Sequence, residues 1–167
     1  LDGHKLDAGL FIAQSDALQA LAPLLELSLT RAELHLDILF GTPILAPFRA
    51  LDLTGSKIGD AGARLLAASR SLGHLTWLDL RWNGLSRAGL DAIAASDGLP
   101  RLRWLNAFGT DFQSPADEPI DEDGRLIDWQ PTELGTELEA KHGPLPWLHY
   151  QPRRLRFHPP SRGHFLK

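Results

Sequence analysis

Apolar residues recur along this chain in an uneven rhythm: apolar-x-x-apolar-x-apolar, then a small or polar residue, then one more apolar position. Four segments carry it: Leu24-x-x-Leu27-x-Leu29-x-x-Ala32-x-Leu34, Phe48-x-x-Leu51-x-Leu53-x-x-Ser56-x-Ile58, Leu75-x-x-Leu78-x-Leu80-x-x-Asn83-x-Leu85 and Leu102-x-x-Leu105-x-Ala107-x-x-Thr110-x-Phe112. The steps from Leu51 to Leu78 and from Leu78 to Leu105 are both 27 residues, and the step from Leu27 to Leu51 is 24. Within each unit the alternation of apolar and variable positions predicts a short strand with one buried face. Two of the spacers also match, since Asp60-Ala-Gly-Ala-Arg-Leu-Leu-Ala-Ala-Ser and Arg87-Ala-Gly-Leu-Asp-Ala-Ile-Ala-Ala-Ser align without a gap. Equal steps with matched spacers mark a repeat array, in which each unit buries its core only against its neighbours.

The spacers predict helices. Gly59 and Ser86 stand at helix N-cap positions, and Leu65, Leu66 and Leu72, or Leu90, Ile93 and Leu99, recur at helical spacing. Gly62 and Gly89 fall in the first turn, where a missing side chain permits close packing on the adjacent coil. The first spacer, 35–47, is three residues shorter and contains Pro43 and Pro47, which predicts a turn or a single 3₁₀ coil rather than a helix. Upstream, Leu10, Phe11, Ala13, Leu18 and Leu21 predict a helix over 7–21, the outer half of a preceding unit. Downstream, residues 131–142 read as a helix with Gly143 at an αL stop and Pro144 after it. Residues 144–150 and 155–157 read as extended segments. The expected organisation is a helical half-repeat or cap over 1–23, repeats over 24–112, and an acidic connection, helix and basic capping tail over 113–167.

With its leucine spacing and single Asn83 turn position, the pattern resembles the leucine-rich repeat, and its helical spacers are similar to the ribonuclease-inhibitor-like class. The ending 138–148 is similar to endings of bacterial members. The resemblance implies an α/β fold: a short solenoid of about four coils, parallel strands on the concave face, helices on the convex face and a non-repeat C-terminal cap. It also implies that the Asn-type residue bonds free backbone groups of neighbouring coils; Ser56 and Thr110 offer a hydroxyl in its place and Ala32 offers nothing.

Composition narrows the picture. Leucine makes up 33 of 167 residues, with 7 isoleucines and no valine, which argues against a valine-rich doubly wound sheet. The absence of cysteine removes disulfides, thiolate metal sites and cysteine nucleophiles. No apolar run reaches membrane-spanning length and no basic leader precedes one, so the expected location is the cytoplasm and no membrane partner is expected. Having no methionine, the chain starting at Leu1 reads as a fragment or a processed product. The net charge of −4 divides unevenly: residues 141–167 hold six bases and no acid, whereas 111–123 hold six acids and no base. The basic tail is either a nucleic-acid arm or a segment folded back on its acidic neighbour. Interleaved Trp147, Leu148, Tyr150, Leu155, Phe157 and Phe165 favour folding back.

Chemistry-bearing patterns are weak. Asp121-Glu-Asp123-Gly124 lacks the remaining ligands of a calcium loop, and His142, His149, His158 and His164 are not at zinc spacing. Gly55-Ser-Lys lacks the phosphate-loop spacing, and nothing joins a nucleophile to a base, so neither enzyme activity nor a metal or cofactor is expected. In the implied solenoid the variable strand positions form three outward columns: Glu26, Ala50, Trp77, Trp104; Ser28, Asp52, Asp79, Asn106; and Thr30, Thr54, Arg81, Phe108. Asp52, Trp77, Asp79, Arg81, Trp104, Asn106 and Phe108 would then converge on one exposed surface with the composition of an interface hot spot. Alternatively, the tryptophans merely stack along the strands or lie under the chain's own tail. The expected function is a protein-interaction module, in one version an inhibitor or immunity-type protein. Nucleic-acid association through 141–167, or service as the targeting domain of a larger enzyme, are the alternatives.

Overall fold

The computed structural model describes residues 5–21, 25–107, 109 and 131–149. Five strands, β1 (Leu6–Asp7), β2 (Glu26–Thr30), β3 (Ala50–Asp52), β4 (Trp77–Asp79) and β5 (Trp104–Asn106), form one parallel sheet in sequence order. Its register is the one set by the leucines: Leu27 pairs with Leu51, Leu51 with Leu78 and Leu78 with Leu105. The 24-residue step and both 27-residue steps therefore end in the same pairing. A strand absent from the sequence reading, β1, pairs Leu6 with Leu29 and carries the ladder one coil further toward the N-terminus.

The helices are α1 (Ala8–Leu21), α2 (Leu36–Gly41), α3 (Gly59–Ala68), α4 (Arg87–Ala94) and α5 (Glu133–His142). Between strands and helices lies one continuous core that includes Leu51, Leu53, Leu78, Leu80 and Leu105, each completely buried. Phe11 of α1 meets Phe48 edge-on at 5.8 Å and 68°. Leu66, Leu90 and Ile93 are buried from the helices, whereas Leu72 and Leu99 reach the core from the segments after α3 and α4. Gly89 has the close approach expected of it: a Cβ there would come within 2.4 Å of Asp60 Oδ1 and 3.3 Å of the Ala63 Cβ.

The first spacer departs from expectation. Instead of a turn or single 3₁₀ coil, it holds the six-residue helix α2 between 3₁₀ turns at Ala32–Leu34 and Pro43–Leu45. The prolines restrict the chain only from residue 42 onward. Thr42, forced toward extended geometry by the following proline, sits at φ −121° and ψ 164° and ends the helix, leaving 36–41 free to coil. A second departure lies at Pro146–Leu148, expected to be extended and found as a 3₁₀ turn with Trp147 and Leu148 buried. Helix α5 ends at Gly143 as expected, with φ +85° but an extended ψ rather than a full αL conformation. Residues 110–130 and 155–157, including the acidic connection, lie outside the described residues.

The turn after each strand repeats in detail. Asn83 donates from Nδ2 to the Leu53 carbonyl (2.9 Å) and the Arg81 carbonyl (3.2 Å), and its Oδ1 accepts from the Ile58 N–H (3.2 Å). One coil earlier, the Ser56 hydroxyl donates to the Leu29 carbonyl at 3.3 Å, reproducing one of those three bonds. The residue just before the turn position is left-handed in every coil: Arg31, Gly55, Trp82 and Gly109 have φ of 55°, 71°, 57° and 79°. Ser86 caps α4 by accepting from the Ala88 N–H, and its own N–H and hydroxyl both donate to the Asp60 carboxylate of the preceding coil.

Candidate functional site

The outward columns meet at β4 and β5. Trp77 and Trp104 are paired residues of adjacent strands, and their indoles stack with centroids 4.4 Å apart and planes 2° from parallel. Strand pairing sets the spacing, so the stack follows from placing the same residue type at one repeat position twice. Beside it, Asp79 is completely buried. Its carboxylate accepts from the Arg81 backbone N–H (3.1 Å) and from the Arg81 guanidinium at Nε (2.9 Å) and at the terminal nitrogen (2.6 Å). One coil earlier Asp52 repeats the arrangement with different partners: the Thr54 N–H (2.8 Å), the Ser28 hydroxyl (2.8 Å) and Lys5 Nζ (3.1 Å). Burial pushes the Asp52 carboxyl up, but the bonds from Thr54, the charge of Lys5 and the Ser28 hydroxyl outweigh it and hold the group below its ordinary value.

The expectation that the set is exposed needs correction. Asp79, Trp104 and Asn106 are 0 %, 5 % and 5 % exposed, whereas Asp52, Trp77 and Arg81 are half-buried. Asp79 is hidden because the chain folds the Arg81 arm over its carboxylate; Trp104 has one face covered by Trp77 and, like Asn106 and Arg81, makes interactions besides those named. Phe108 lies outside the described residues. The open part of the face is thus Asp52, Trp77 and Arg81, with Glu26 exposed at its edge. Lys5 is a participant that sequence reasoning missed. Its signal was the degenerate unit Leu1-x-x-His4-x-Leu6-x-x-Gly9-x-Phe11, in which a histidine stands at the first strand leucine.

On the other face, α3 and α4 leave a shallow groove between their C-terminal ends, lined by Ala67, Ser69, Arg70, Ala95, Ser96 and Pro100. Ser96 Oγ donates to the Ala67 carbonyl there (2.6 Å), and Arg64 and Asp97 add charged groups to the lining. Among the described residues no group of three or more His, Asp or Glu side chains is placed to hold a metal ion. Among the same residues no helix is long and apolar enough to cross a membrane.

A solenoid of parallel strands backed by helices, with side-chain bonds to the backbone at the Ser56 and Asn83 turns, defines an open repeat protein rather than a closed α/β barrel. Residues 46–67 and 73–94, the coils around β3 and β4, each match the family model described as Leucine Rich repeat, and these two matches support a leucine-rich repeat protein. Such repeats generally mediate protein–protein interaction, and the family is typically a non-enzymatic interaction module. Comparison with curated proteins and with solved structures gives no match.

Proposed function

We propose that the protein docks a partner protein or peptide on its concave strand face and has no catalytic activity of its own. The observation that carries this reading is the stacked Trp77–Trp104 pair set beside the pinned Asp79–Arg81 pair on the last two strands of the sheet. Large aromatic and arginine groups already held in one conformation lose little freedom on binding, which is how a small surface becomes an anchor. Trp77, Arg81 and Asp52 make the direct contacts in this reading, and Trp104, Asp79 and Asn106 hold them in place. Residues 113–167 serve as the C-terminal cap. Lys141, the first base of the basic tail, is bonded to Asp91 of α4 at 2.7 and 2.8 Å, which favours a tail folded on the solenoid over a nucleic-acid arm. An inhibitor or immunity-type role is the finer version of the same proposal.

Affinity capture tests it with three chains: the wild type, Trp77→Ala, and Leu65→Ala on the exposed helical face as a control. The expected result is a protein retained by the wild type and by Leu65→Ala but lost by Trp77→Ala, whose thermal midpoint stays near that of the wild type. Equal retention by all three, or retention of nuclease-sensitive material only, would move the binding surface elsewhere.

A further inference from the structure

The basic side chains of this chain divide by place. Lys5, Arg31, Arg81, Arg87 and Lys141 are each tied to a carboxylate. Arg49, Arg70 and Arg103 are exposed and form no ion pair among the described residues, and the exposed Arg101 donates from Nη1 to His74 Nδ1 at 3.3 Å.

The repeat brings these four arginines to one edge of the molecule. Arg49 directly precedes β3 and Arg103 directly precedes β5, at the same repeat position two coils apart. Between them the Thr76 N–H bonds to the Arg49 carbonyl (2.8 Å) and the Arg103 N–H to the Thr76 carbonyl (2.9 Å), so the three form one row where the chain enters the sheet. Two strand spacings, about 10 Å, separate the two arginines. Arg101 follows Pro100, which lines the same shallow groove as Arg70. The segments that carry this row, 46–49, 69–76 and 97–103, contain a single acid, Asp97. Four guanidinium groups thus gather on one edge of a chain whose net charge is −4.

Such an edge draws an anion, and its chemistry narrows which one. Guanidinium forks bind carboxylates and phosphates alike through paired N–H bonds. Nucleic acid demands more: a single strand stacks its bases on aromatic rings, and a duplex carries one charge per about 1.7 Å of its axis. Among the described residues the exposed aromatic ring is Trp82, which follows β4 and so lies at the opposite end of the strands. Four arginines on an acidic chain do not match the charge density of a duplex. The sparser carboxylates of an acidic protein segment do.

We propose that this edge is a second docking surface, which takes an acidic segment of a partner protein and pairs its Asp and Glu side chains with Arg49, Arg101 and Arg103, and with Arg70 beside the groove. It stands apart from the concave-face reading, since none of these arginines is among the residues placed in contact there.

Fluorescence anisotropy with the full chain tests it, using labelled octaglutamate as probe and labelled octathymidylate as the nucleic-acid comparison. Octaglutamate is expected to bind saturably at low salt, and more tightly than the oligonucleotide. Changing two exposed positions together, Arg49→Gln and Arg103→Gln, is expected to weaken octaglutamate by about fivefold while the thermal midpoint stays that of the wild type. Lys57→Gln, at an exposed base beyond the other end of β3, is expected to leave binding unchanged. Absence of octaglutamate binding overturns the proposal, and so does an equal loss in both variants, which would reduce the effect to overall charge. Tighter binding of the oligonucleotide would give the edge to nucleic acid instead. Binding that appears only once Asp117, Glu118, Asp121, Glu122 and Asp123 are changed to Asn or Gln would give it to the chain's own acidic segment, and the proposal would fall.

Discussion

At the residue scale the solenoid is held by a few side chains with strict duties. Leu78 is completely buried between two coils, so Leu78→Ala is expected to cost about 2–5 kcal/mol through the cavity left behind, measured by chemical denaturation. Asn83 satisfies two carbonyls and one N–H that would otherwise be buried without partners. Asn83→Ala is therefore expected to destabilise by about 2–3 kcal/mol, and Ser56→Ala, which removes a single bond, by about 1 kcal/mol. Similar losses for the two would mean the turn ladder matters less than the packing around it. Asp52 sets a pH dependence. Its carboxyl is held below the ordinary value of 3.8, so the stabilisation is present above that value and lost as pH falls through the lowered one. Below about pH 4 the wild type should lose stability more steeply than Asp52→Asn, as acid titration followed by circular dichroism would report.

Elements were legible in the sequence to different degrees, and the differences have physical causes. Strands and their register were readable because burial forces leucine onto one side of every strand, whatever surrounds it. Helices α3 and α4 were readable for the same reason, although Leu72 and Leu99 belong to the segments after them rather than to the helices. Helix α2 was missed because two prolines were allowed to veto a segment they only border. The candidate site was half legible. Column membership follows from alternation, which places Trp77 above Trp104 and Asp52 beside Asp79, but alternation does not determine cover. Asp79 is buried by its own neighbour Arg81, a side-chain conformation that no spacing rule foresees. At the C-terminal end, α5 is tied to α4 by Arg87 with Glu137 and by Lys141 and His142 with Asp91. The Arg87 and Lys141 arms are exposed, and their pairs each contribute little. The apolar contribution from Leu138, Leu145, Trp147 and Leu148 is the larger one. Trp147→Ala is expected to cost about 3–5 kcal/mol and deletion of 144–167 to give an aggregating chain, checked by light scattering; a soluble deletion of unchanged stability would sink the capping assignment.

For the whole molecule, contacts run from each coil to the next, so stability is a sum of neighbour terms rather than the property of one centre. Amide exchange should accordingly be slowest in β2, β3 and β4, which pair with a strand on both sides, and faster in β1 and β5, each paired on one side among the described residues. Uniform protection across all five strands would instead indicate a single cooperative unit. The residues proposed to contact a partner, Asp52 and Trp77, sit on β3 and β4, where exchange is expected to be slow.

The unequal steps have a further consequence. Coils of 24 and 27 residues deliver their strands into the same pairing, so length on the helical side is invisible to the strand side. The outer connections are therefore slack in which residues can be gained or lost without shifting Trp77, Asp79 or Arg81 relative to one another. The strand face can stay fixed while the exposed turn between α2 and the following 3₁₀ turn is changed, making 41–43 the natural place to graft a tag, a probe or a second function.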